Sequence, residues 1–157
     1  MKRLLAIASL MMMLMTSAEA QNITLGGRLP NINVHSAMGP ELGLIEHEYV
    51  CLVFIHSESL PCVAALESFN ALADSFSDAM AVVLLTPEQR SNEQDALARY
   101  VDSNTTVAFD NEHRTFKAFG VEYVPFGVVF DTKRRRVQWF GTIAQLTEAT
   151  IRTITNK

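Results

Sequence analysis

Cysteine, positive charge and long apolar runs are all scarce in this chain. Its 157 residues hold two cysteines, Cys51 and Cys62, so at most one internal disulfide is available. Basic residues number 13 against 17 acidic ones, a formal charge of -4, and a mildly acidic surface argues against nucleic acid as a partner. No repeat, low-complexity tract or linker divides the sequence, and the length suits a single core, within the usual ~100 to 200 residues. The longest uncharged apolar stretch, Leu4 to Met15, falls short of the roughly 20 residues a membrane helix requires.

That stretch follows Lys2 and Arg3 and precedes Ala18-Glu19-Ala20, the order of parts in a secretory leader. Residues 1–20 therefore read as a signal peptide and residues 21–157 as one domain starting at Gln21. The protein is expected to be exported, periplasmic or secreted, without stable membrane insertion, and to act as a monomer. Loss of Lys2, Arg3 and Glu19 would move the formal charge from -4 to -5. No Cys stands beside the expected cut, so lipid attachment is not suggested. Met11, Met12, Met13 and Met15 suit the apolar core of a leader better than a metal site. Asn22-Ile23-Thr24 and Asn104-Thr105-Thr106 are glycosylation sequons only in a eukaryotic host.

In an exported chain two cysteines suggest a disulfide. Their placement argues against one. Cys51 lies early in the apolar run Tyr49 to Ile55, and a strand advances ~3.3 Å per residue towards the end that leads to Cys62, beyond the ~7 Å Cα limit for a bridge. Cys51 reads as a small buried hydrophobe. Cys62 follows Pro61 where a helical pattern begins, and the unpaired N–H groups of a helix N-terminus favour an anion.

The pattern of apolar residues orders the elements. Ile23 to Val34, broken by Gly26-Gly27 and Pro30, predicts one or two short strands, with a turn at Met38-Gly39-Pro40. Tyr49 to Ile55 and Met80 to Leu85 predict strands buried on both faces. From Cys62 to Phe76, Val63, Leu66, Phe69, Leu72, Ala73 and Phe76 form one helical stripe. Ser91, with Gln94 three residues on, predicts a capped helix start. Then come a strand at Thr105 to Phe109, a short helix at Asn111 to Phe119 ended by Gly120, strands at Phe126 to Phe130 and Val137 to Phe140, and a helix from Leu146 to Ile154. This order implies an α/β fold, a central mixed β-sheet flanked by helices on both faces. Lys133-Arg134-Arg135-Arg136 falls on a hairpin tip and reads as a solvated, aggregation-resistant edge.

From about Gly26 onward the chain resembles the thioredoxin superfamily, and within it the exported TlpA and ResA-like branch. The resemblance rests on Leu52-Val53-Phe54 running into Pro61-Cys62, on Phe109-Asp110, on Phe116 to Val121, on Val124-Pro125 before Phe126 to Asp131, and on Trp139-Phe140-Gly141. It implies a thioredoxin-like fold and kinship with thiol-disulfide oxidoreductases. It also implies a cis bond before Pro125, facing the thiol site, with the backbone of Val124 open to an extended substrate. No cofactor and no metal are implied.

Departures concentrate at the site. Where the family has Trp-Cys-x-x-Cys, this chain reads Glu58-Ser59-Leu60-Pro61-Cys62. Ser59 replaces the attacking thiol, Glu58 replaces the aromatic beside it, Ala65 stands where ResA-like members tend to have Glu, and Glu67 where many have Pro. A hydroxyl cannot form a mixed disulfide, and no base is evident to make Ser59 a hydrolytic nucleophile. A carboxylate at Glu58 opposes a thiolate nearby. The two-thiol shuttle is closed.

Three accounts remain open. The domain binds extended or thiol-containing protein clients in the groove beside Val124-Pro125, with Cys62 only a buried residue. Alternatively Cys62 is a lone redox thiol that forms mixed disulfides and needs an external reductant. Thirdly, Ser59 is an engineered change in an ordinary thiol-disulfide oxidoreductase, although Glu58 and Ala65 depart as well. A peroxidase is a lesser alternative. Ser59-x-x-Cys62 resembles the Thr-x-x-Cys of peroxiredoxins, but Ile55 and Pro125 stand where those enzymes carry Pro and Arg. A metal site from His56, Glu58 and Cys62 is weaker, since metal-binding relatives use two sulfurs. His35, His47 and His113 lack ligand spacing.

Overall fold

The computed structural model describes residues 22–42 and 45–156. The expected leader and its cleavage site lie outside the described residues. Six strands form one sheet: β1 (Ser36–Met38), β2 (Tyr49–Phe54), β3 (Met80–Thr86), β4 (Thr105–Phe109), β5 (Phe126–Asp131) and β6 (Arg136–Thr142). The helices are α1 (Leu60–Asp74), α2 (Arg90–Leu97), α3 (Arg114–Phe119) and α4 (Glu148–Thr155), with 3-10 turns at Ala98–Tyr100 and Ile143–Gln145. The sheet order is β1-β4-β3-β2-β5-β6. Strands β2, β3 and β4 run parallel, while β1, β5 and β6 join antiparallel. The sheet is mixed, as the sequence predicts.

Every residue of β2 is buried, because this central strand has a covered face on each side. Its side chains alternate between two apolar clusters, as a strand repeat of two requires. Tyr49, Cys51 and Val53 join Leu66, Phe69 and Ala73 of α1 and Ile151 and Ile154 of α4. Val50, Leu52 and Phe54 join Phe116 and Phe119 of α3. The Phe54 ring packs edge-on to Phe116, with centroids 5.0 Å apart, and lies 5.2 Å from Phe119. Phe54→Ala is expected to cost about 3–5 kcal/mol, because the cluster could collapse only in part.

Several details differ from the sequence reading. Ile23 to Val34 contains no strand, only an isolated bridge between Arg28 and Arg136. The segment does lie along β6, through Gly26 N–H to the Val137 carbonyl, Val137 N–H to Gly27 and Leu29 N–H to Arg135. Left-handed Gly26, at φ 72°, turns the chain before a ladder can extend. The first strand is instead Ser36–Met38, so Met38 ends a strand and the turn follows it. Ser91 does not cap α2. Gln89 does, without a side-chain bond, because the N–H groups of Asn92 and Glu93 both close on the Gln89 carbonyl. Helix α1 starts at Leu60, two residues ahead of the expected Cys62, for a reason that belongs to the site.

Candidate functional site

Ser59 is the N-cap of α1, with extended backbone at φ -73° and ψ 114°. Its Oγ accepts a long hydrogen bond, 3.5 Å, from the Cys62 N–H, and its carbonyl accepts the Val63 N–H at 3.0 Å. Such a cap commonly contributes about 1 kcal/mol. Leu60 and Pro61 fill the first turn, where a missing N–H costs nothing because the first helical N–H groups have no partner within the helix. Leu60 is 80% exposed, whereas Cys62 is only 1% exposed. The thiol points into the apolar cluster shared by Ile55, Leu66 and Phe69.

Cys51 is fully buried in that cluster, and burial pushes its thiol far above the ordinary range. Both cysteines are free, in agreement with the distance argument. Glu58 is exposed, and Ala65 packs against the cluster that holds Cys62.

The register of the central strands brings the second half of the site close. Phe54 pairs with Phe126, so the residues leading into β5 lie at the end of the sheet where β2 runs into α1. The Val124–Pro125 peptide is cis. Val124 is half-buried and packs against both apolar clusters. Tyr123 is 45% exposed, its ring edge-on to Phe126 at 5.4 Å.

The loop between β2 and α1 is held by residues the sequence reading missed. Ser57 N–H donates to both carboxylate oxygens of Glu88, at 3.2 and 3.0 Å. Ser57 Oγ donates to Glu93 Oε2 at 2.6 Å. Glu88 is itself held by the buried hydroxyl of Thr86, also at 2.6 Å. His56 Nδ1 lies 3.9 Å from Glu88 Oε1. These partners stand 31 and 36 residues apart in the chain, so no local spacing announces them. The one available signal is Glu88 just past the end of the neighbouring parallel strand, with Glu93 in the first turn of the helix that follows.

The histidines have other surroundings. His35 pairs with Glu112 at 3.1 Å, and this bond, with Arg114 nearby, holds the Glu112 carboxyl below its ordinary range. His47 Nε2 bonds the Ser77 carbonyl, and His113 takes a left-handed conformation ahead of α3. Among the described residues no cluster of three or more His, Cys, Asp or Glu could hold a metal ion. The basic tetrad is exposed on the β5–β6 turn, where Asp131 Oδ1 accepts the N–H groups of Lys133 and Arg134.

No family model matches the chain, and no curated protein matches it significantly. Solved structures do match. A thioredoxin-like protein in its oxidized form is 20% identical, with a TM-score of 0.65, over 85% of this chain and 95% of that one. StoA from Bacillus subtilis is 16% identical, with a TM-score of 0.61, over 80% and 99%. A putative thiol:disulfide interchange protein DsbE from Chlorobium tepidum is 21% identical, with a TM-score of 0.60, over 76% and 86%. The chain has the thioredoxin-like fold, and its structural neighbours include a protein described as a putative thiol:disulfide interchange protein. No described helix is long and apolar enough to cross a membrane.

Proposed function

We propose that this protein is an exported, single-domain member of the TlpA-like branch that binds extended or thiol-containing protein clients beside Val124–Pro125 without a dithiol shuttle of its own. The observation that carries the reading is the state of the two shuttle positions. Oxygen occupies residue 59 and caps the helix, and the thiol at residue 62 is 1% exposed. A hydroxyl in that role has no sulfur to offer a client, and a buried thiol is a poor attacking group because exchange needs access.

Binding is supported by what the surface exposes. Three large apolar side chains are strongly exposed among the described residues, and two of them, Leu60 and Tyr123, flank the site loops. Apolar side chains left in water favour contact with the apolar side chains of an unfolded client. The direct test is titration of the native protein with a permanently unfolded, cysteine-free polypeptide. Saturable binding that weakens on Tyr123→Ser supports a client site. No binding, or binding indifferent to that change, overturns it.

A further inference from the structure

We infer that Glu88 and Glu93 form a latch that keeps the β2–α1 loop shut, so that two carboxylates of the neighbouring β3–α2 region set access to Cys62. The loop is tied to the sheet at Ile55, whose N–H donates to the Leu85 carbonyl at 2.9 Å. It is tied to the helix at Ser59, which caps α1. Between these points its long-range hydrogen bonds, among the described residues, are those of Ser57 to Glu88 and Glu93.

The two carboxylates act at different atoms. Glu88 takes the Ser57 backbone N–H with both oxygens and is steadied from behind by the Thr86 hydroxyl, in a residue with 0% exposure. Glu93, in the first turn of α2, takes the Ser57 hydroxyl. Hydrogen bonds to a charged acceptor are short and stronger than neutral ones, and the two 2.6 Å contacts fit that class. Cys62 is coupled to this loop at both ends, through Ile55 in its apolar cluster and through its own N–H on Ser59. Release of Ser57 would free the loop to lift with the first turn of α1, and Cys62 would meet solvent without unfolding of the sheet.

This device concerns thiol access and stands whether or not a client binds. Cys51 supplies a reference within the same molecule, because it lies at 0% exposure in the central strand and is reached only when the sheet opens. The experiment follows alkylation of each cysteine by iodoacetamide in the native protein, by peptide mass mapping, for the parent, Glu88→Ala, Glu93→Ala and the double variant. Loss of charge-assisted bonds is expected to raise Cys62 alkylation by on the order of tenfold or more in the double variant, with Cys51 unmodified. An unchanged Cys62 rate overturns the latch. A rise shared equally by Cys51 also overturns it, since that is global unfolding. Should the double variant fail to fold, Ser57→Ala removes only the hydroxyl arm and is read by the same two criteria.

Discussion

Ser59 Oγ receives the backbone N–H of Cys62, so the hydroxyl at residue 59 is engaged in holding the start of the helix that carries the Cys62 thiol. The chemistry of the site and the stability of α1 therefore meet at one oxygen.

Replacing that oxygen should recover chemistry at a small structural cost. The native protein is expected to show negligible reduction of insulin, because no thiol pair exists to accept and release the electrons. Ser59→Cys is expected to form a disulfide with Cys62 and to restore measurable insulin reduction. It should lose about 0.5–1 kcal/mol of stability as the cap weakens. Thiol counting before and after reduction, alongside an insulin turbidity assay, checks both outcomes. Robust turnover by the unchanged sequence would refute the reading of a closed shuttle.

Leu60 and Tyr123 should separate binding from stability. Leu60, with 80% of its surface already in water, adds little to folding, and Leu60→Ser is expected to change stability by less than about 0.5 kcal/mol. The same change should weaken client affinity by roughly tenfold, the loss of about 1.4 kcal/mol of apolar contact. Isothermal titration together with urea denaturation resolves the two quantities. Equal losses in both would place Leu60 in the fold rather than in the groove.

Asp110 should matter more to stability than any residue of the loop. Its side chain is fully buried, and its two oxygens accept the N–H groups of Arg114, Thr115 and Phe116, each at 2.9 Å. This one carboxylate satisfies the first turn of α3, a six-residue helix too short to hold itself together in water. Asp110→Ala is expected to cost roughly 2–4 kcal/mol, combining a lost cap with three unsatisfied N–H groups. The midpoint of urea unfolding measures it.

Alkaline pH should destabilise the fold through Cys51. Burial raises the folded-state pKa of this thiol, while the unfolded chain ionises near the ordinary ~8.5. The contribution is present in full below that unfolded value and is lost as pH rises above it. Stability is expected to fall by up to about 1.4 kcal/mol per pH unit above pH ~9 from this residue. Tyr49, raised by burial and then by Glu48, adds a parallel loss above its ordinary value near ~10. Cys51→Ala should flatten the first part of that slope in a series of denaturation curves.

The sequence made much of the sheet legible because the central strands are uninterrupted apolar runs. Tyr49 to Ile55 and Met80 to Leu85 can only be satisfied between two covering layers, and the structure places them in the middle of the sheet. The first strand was not legible. Ser36–Met38 has half-buried side chains throughout, so no alternation marks it, and its pairing with β4 depends on residues about 70 positions away. At the site, the pattern of residues 58–62 was readable as chemistry but not as architecture. In the sequence Ser59 shows only as a missing thiol, since capping becomes evident once the helix is seen to start at Leu60. Glu88 and Glu93 were invisible as partners of Ser57 because their contacts exist only after β2 and β3 lie side by side.

Both margins of the sheet offer little to an incoming chain. One margin, β1, spans just Ser36–Met38. Along the other, β6 is already occupied by Gly26 to Leu29, beside a cationic turn that repels its own kind. A polypeptide in extended form thereby finds little room to add a rung at either border. The same closure leaves the molecule poorly suited to seeding its own stacking into fibres.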